Sequence, residues 1–154
     1  MQYLIIFLIS MVPLIELRGA AVYAAGMNLP ALPALAVCVL GNMLPVPFIY
    51  FFARKFLLWG KDKKYIGKLC TFFVEKGEKA GQKLVSTTGR GGLFIALLLF
   101  VGIPIPGTGA WTGTLGASFL NMGFKSTVLS VCLGVVLAGV IMMLVSTGVF
   151  SLIG

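Results

Sequence analysis

Pro13-Leu14-Ile15-Glu16-Leu17-Arg18-Gly19 decides how this chain is read. From Met1 to Pro47 the only side chains fully charged at neutral pH are Glu16 and Arg18. A carboxylate or guanidinium at membrane depth costs several kcal/mol unless it is paired or faces water. Pro13 removes a backbone donor and Gly19 loosens the chain. Together they predict a helix broken inside the membrane, with a polar group at the break, as at the substrate and ion sites of transporters. The alternative is a helix end at the interface, with both charges in water.

A second stretch has the same character. Gly102-Ile103-Pro104-Ile105-Pro106-Gly107-Thr108-Gly109-Ala110-Trp111-Thr112-Gly113 places two prolines and four glycines between apolar runs. No continuous helix passes through it. Corresponding interruptions in two halves of a chain point to an inverted-repeat transporter core.

Composition sets the class. Of 154 residues, 59% are hydrophobic and 10% charged, and mean hydropathy is +1.06. A soluble domain carries about 25% charged residues, so the expectation is an all-α integral membrane protein. Ten of the twelve Lys and Arg residues lie between Arg54 and Arg90, beside three acids (Asp62, Glu75, Glu78). That excess predicts a cytoplasmic segment 54–90. Apolar stretches flank it, so anionic lipid headgroups rather than nucleic acid are its expected neighbours. There is no histidine, and Cys38, Cys70 and Cys132 are far apart. No metal site, cofactor or disulfide framework is expected. An intramembrane enzyme is disfavoured, because no paired carboxylates and no nucleophile–base spacing occur. Residues from 1 onward are taken as mature, since no basic n-region opens the chain.

Outward from the two breaks, the chain divides as follows. Residues 1–27 make a re-entrant hairpin around Glu16, since a 12-residue helix rises only about 18 Å and cannot span. The alternative is one poor span over residues 1–25. Residues 31–58 form a transmembrane helix, kinked at Pro45 and Pro47, with Asn42 facing protein rather than lipid. Residues 61–85 read as a basic amphipathic helix on the cytoplasmic surface, or as a docking site for a partner. Residues 86–92 are a polar turn. Residues 93–120 form a second re-entrant hairpin, and residues 126–150 a second transmembrane helix. The fold expected is two inverted repeats, each a hairpin plus a transmembrane helix, joined by the surface helix.

Three ordered motifs carry a family resemblance: Pro13 to Ala20, then Gly41-Asn42-Met43-Leu44-Pro45-Val46-Pro47, then Pro104 to Gly113. Over nearly the whole chain they resemble the small multidrug export protein family. That family is similar to the wider DedA group of bacterial inner-membrane proteins, thought to combine two re-entrant hairpins with packed helices. The resemblance implies transport tied to membrane energetics and, through the DedA group, movement of a polyprenyl-phosphate lipid carrier between leaflets. DedA proteins carry arginines around the Pro-Gly of the second hairpin. Here Gly102, Thr108 and Gly109 surround Pro106-Gly107, so a phosphate would rely on half-helix amides and Arg18.

The expected function is therefore a small transporter in a bacterial or archaeal inner membrane, moving an anionic lipid carrier or a small solute. Glu16 is its protonatable coupling group. Arg18 pairs with Glu16 or binds an anionic headgroup. Asn42, Thr108, Trp111 and Thr112 supply further contacts, and Pro13, Gly19, Pro45, Pro47, Pro104, Pro106, Gly107 and Gly109 make the breaks. A cation exporter and a non-transporting scaffold are the rivals. Two crossings and two hairpins are few helices to enclose a pathway, which predicts a homodimer or higher oligomer.

Overall fold

Proline sets several of the helix ends. The first helix, α1 (Gln2–Met11), stops where Val12 turns extended (φ −72°, ψ 128°), because the ring of Pro13 disfavours helical geometry in the residue before it. The chain reverses and α2 (Glu16–Gly26) packs back along α1. Pro30 caps α3 (Ala31–Met43), and Pro45 and Pro47 open α4 (Val46–Gly60). Together α3 and α4 make one interrupted apolar stretch. The long helix α5 (Gly67–Gly102) leads to α6 (Ala110–Phe119) and α7 (Phe124–Ile153). The computed structural model describes residues 1–13, 15–105 and 108–154, and the side chains of all of these except Phe73, Gly77, Ala80, Gly81, Leu84 and Val85. Pro106 and Gly107, expected to break the second hairpin, lie outside the described residues.

Three sequence expectations need correction. The surface helix begins at Gly67, not at residue 61. The turn predicted over residues 86–92 narrows to a kink at Gly89 (φ 75°, ψ 175°), with helix on either side of it. Just before the kink, Ser86 and Thr87 donate their hydroxyls back to the Lys83 carbonyl, both at 2.8 Å, a pattern that bends helices. Gly19 is not a break. It lies inside α2, and its missing side chain leaves room for Ile15.

Close approaches at small residues fix how the helices lie. On α1 and α3, a methyl at Gly41 would fall on Ser10 Oγ and the Phe7 carbonyl. On α5 and α7, Ser130 Oγ donates to the Phe94 carbonyl at 2.6 Å, and Gly134 packs on Leu98 and Val101. Along α2 and α7, Gly139 meets Leu17 and Gly26 meets Phe150. Along α4 and α6, Ser118 Oγ donates to the Tyr50 carbonyl at 3.3 Å, and the Tyr50 hydroxyl donates to the Met122 carbonyl.

The last helix serves as a ruler, since its 30 residues rise about 45 Å. Phe124, at its start, stacks on Phe51 with ring centroids 4.8 Å apart. Phe150, near its end, lies against the base of the α1–α2 hairpin at Gly26. Between them, Gly134 and Gly139 meet the tip-proximal residues of the two hairpins, Val101 and Leu17. The ends of α2 and α5 that lie next to the two breaks therefore meet α7 near its mid-length.

Two 30-residue stretches, Ala31–Gly60 and Phe124–Ile153, are long and apolar enough to cross a bilayer, with hydropathies of 1.9 and 2.9. Their apolar side chains largely face outward: Leu32, Phe48, Phe52 and Leu144 are among the exposed residues. Exposure of this kind is expected of a protein whose surroundings are lipid.

Candidate functional site

Glu16 opens α2 in a left-handed conformation (φ 51°), which costs a residue with a Cβ of order 1–3 kcal/mol unless its surroundings hold it there. The surroundings do so through its carboxylate. Oε2 accepts the Ala110 N–H and Oε1 the Trp111 N–H, each at 3.1 Å. These are the first amides of α6, where orphan donors and the helix dipole favour an anion. The residue is only 5% exposed, so the charge is carried by backbone rather than by water.

Arg18 does the converse. Its guanidinium donates to the carbonyls of Ile103 (3.3 Å), Ile105 and Thr108, and to Thr108 Oγ1 (3.1 Å). Ile103 caps the end of α5, so Arg18 satisfies carbonyls that the broken helix leaves open. The sequence predicts that Arg18 pairs with Glu16 or with a headgroup. In the structure its hydrogen bonds go to the second hairpin.

The other expected residues gather here too. Thr108 Oγ1 lies 2.8 Å from the Ile105 carbonyl, and Thr112 Oγ1 accepts the Gly109 N–H at 2.9 Å. Gly109 caps α6, and a Cβ on it would land on the Glu16 carboxylate. Trp111 contributes its amide to Glu16, while its indole Nε1 is buried without a hydrogen-bond partner. Asn42 is 2% exposed and its Oδ1 likewise has no partner. It shares a cavity of about 10 Å³ with Glu16, Arg18 and Ala110. On the other side of the charges, a cavity of about 180 Å³ is lined by Pro13, Glu16, Arg18, Trp111, Thr112 and Leu115. Pro104 lies in the strand of loop after α5. Pro45 and Pro47 shape the α3–α4 break, and neither lines these two cavities.

Sequence reasoning looked to half-helix amides and to the freed backbone of residues 104–109, which includes the Ile105 carbonyl. It did not single out the amides of Ala110 and Trp111 or the Ile103 carbonyl, which no side-chain motif announces. It also missed Thr114, fully buried with an unpartnered hydroxyl. A hydroxyl one helical turn beyond Ala110 was the available signal. Among the described residues, no three His, Cys, Asp or Glu side chains gather as they would around a metal ion.

Comparison with known proteins adds one finding. No curated protein and no solved structure matches the chain. Residues 16–141 match the family model described as "Putative small multi-drug export protein". The matched span begins at Glu16 and takes in the hairpin contacts described above. With two helices able to cross a bilayer, this is a membrane protein, and the chain belongs to that family of small export proteins.

Proposed function

We propose that the protein is a proton-coupled transporter in which Glu16 and Arg18 latch two re-entrant hairpins at mid-membrane. The observation that carries this is the Glu16 carboxylate resting on the Ala110 and Trp111 amides. Ionised, it accepts from both. Protonated, it loses its charge and accepts from the two amides only as weakly as a neutral group. Proton uptake thus weakens the latch and opens the N-terminus of α6. That N-terminus, with Arg18 beside it, is an anion site once the carboxylate lets go. Proton and anionic substrate would then occupy one site in linked fashion. Together with the DedA resemblance, this favours an anionic lipid carrier such as a polyprenyl phosphate.

The helix packing supports two inverted repeats. α1 packs on α3 as α5 packs on α7, and α2 packs on α7 as α6 packs on α4. A pseudo-twofold that exchanges the hairpins produces this pairing. The basic segment 54–90 would face the cytoplasm of a bacterial or archaeal cell. A homodimer or larger oligomer would complete the enclosure that two crossings leave open.

Trp111 favours a second reading. Its ring lines the same cavity as Glu16, and an aromatic face beside a carboxylate suits a cationic amphiphile. Leaflet exchange of a labelled polyprenyl phosphate in proteoliposomes separates the two. We expect exchange by the wild type and none above empty liposomes for Glu16→Gln or Arg18→Gln. Exchange by Glu16→Gln at the wild-type rate, with unchanged pH dependence, sinks the proton role. A wild type inert toward the lipid but active in cation efflux selects the second reading.

A further inference from the structure

Three cavities lie end to end along the second hairpin. The largest, about 550 Å³, is a vestibule of mixed lining, with Gln82, Ser86, Arg90 and the acid Glu78 beside apolar side chains. The next, about 230 Å³, is an apolar groove between α5 and α6, walled by Leu97, Phe100, Gly113 and Gly116. These two share Leu93, Leu120 and Met122. The groove in turn shares Thr112 with the cavity of about 180 Å³ at Glu16 and Arg18. From Thr112 to Leu120 is eight residues of α6, a rise of about 12 Å.

We infer that this series is the access route of an amphiphile carrying an anionic headgroup, its alkyl chain lying in the α5–α6 groove. The inference rests on the reading of Glu16 and Arg18 as the transport site, and it adds the path by which substrate reaches them. The route passes from a vestibule of mixed polarity to an apolar groove, as such a molecule passes from headgroup to chain. The helix leading to the vestibule is basic. Between Gly67 and Arg90 the chain carries five Lys and Arg (68, 76, 79, 83, 90) against two acids (75, 78), while in the vestibule itself Arg90 faces the single acid Glu78. The groove ends at Arg18 and the α6 N-terminus, which release of Glu16 would open to an anion.

Gly116 is where the route can be narrowed without disturbing the fold. A Cβ there meets nothing within 4 Å, so a side chain at 116 enters open groove. Neighbouring Gly113 has no such freedom, since its Cβ would stand 2.6 Å from Val101.

The test uses the full chain with Trp59→Phe, which leaves Trp111 as the only tryptophan, in phosphatidylcholine nanodiscs. The probes are dodecyl phosphate and dodecyltrimethylammonium, each brominated at the chain end, and the readout is quenching of Trp111. We expect the phosphate to quench more strongly than the ammonium. Quenching should fall in Gly116→Ala and be lost in Gly116→Leu, and Arg90→Gln should erase the preference for the phosphate. Equal quenching by both probes, or full quenching of Gly116→Leu, overturns the route. If quenching follows the expected order while Glu16→Gln transports like wild type, the route stands and the latch falls. If Glu16→Gln abolishes transport while Gly116→Leu is quenched like wild type, the latch stands and the route falls.

Discussion

Gly109→Ala is the sharpest perturbation of the hairpin contact. The backbone at Gly109 (φ −126°, ψ −170°) is extended and open to any residue, so the glycine is needed for space. An alanine Cβ would occupy the position of the Glu16 carboxylate. Either the carboxylate leaves or α6 shifts, and both Glu16 bonds are lost. Hydrogen bonds to a charged group contribute about 1.5–3 kcal/mol each, so the variant should lose about 3–6 kcal/mol. Alanine is also a poorer N-cap than glycine, by roughly 1 kcal/mol or less. In a Glu16→Ala background the collision is gone and only the cap term remains. The double-mutant cycle should therefore show a coupling of about 3–6 kcal/mol, at or above the upper end for residues in contact. The assay is equilibrium unfolding in mixed micelles of a mild detergent and dodecyl sulfate, with amide exchange at Ala110 and Trp111 as a local check. Equal costs for Gly109→Ala in the two backgrounds would refute the carboxylate–amide contact as the link between the hairpins.

Three further outcomes follow from the same contacts. Arg18→Lys keeps the charge but loses the planar fork over Ile103, Ile105 and Thr108; the Ile103 and Ile105 carbonyls keep other donors, so the same unfolding assay should register a total loss of about 1.5–3 kcal/mol. Gly134→Ala drives a Cβ to 2.8 Å from the Leu98 carbonyl and from Val101 Cβ and should cost about 1–3 kcal/mol, whereas Gly116→Ala should be neutral or gain up to about 1 kcal/mol from helix propensity. Asn42→Leu removes a buried amide whose Oδ1 has no partner, so stability should hold or rise while lipid exchange falls; a stable variant with wild-type exchange would remove Asn42 from the transport site.

The breaks were legible because they are local. Pro13 and Pro45 act on their own neighbours, and the structure has a turn or a helix start at each. The gathering of Glu16, Arg18, Thr108, Trp111 and Thr112 was legible for a different reason: charges at depth demand partners, and the second break was the richest source of them. That backbone groups at the second break would serve was legible too; which amides and carbonyls they are was not. Amides and carbonyls are the same in every residue, and only the fold decides which are left open. Residues 86–92 read as a turn because Ser, Thr and Gly favour turns in isolation, and the structure confines the break to Gly89. Ser86 and Thr87 instead bond back to Lys83 within the helix, which sequence composition cannot distinguish from a loop. Gly19 misled in the same way, since what it provides is room for Ile15.

The spacing of the charged pair explains why it binds as it does. Glu16 and Arg18 are two residues apart, and on a helix side chains at that spacing do not face each other. They diverge, one toward the first amides of α6 and the other toward carbonyls of the loop between α5 and α6. A broken helix leaves both kinds of group open at one point, each costly when buried. A carboxylate and a guanidinium held two residues apart serve both at once, with no net charge added. The arrangement couples the two ends. If Glu16 releases the α6 N-terminus on protonation, the excess positive charge of Arg18 and the freed amides lies within one tip, and an anion is the group that restores neutrality. A cation entering the same tip would have to displace Arg18 from its carbonyls first. On the proposed reading, proton uptake and anion binding are tied together, and for that reason the anionic substrate ranks ahead of the cationic one.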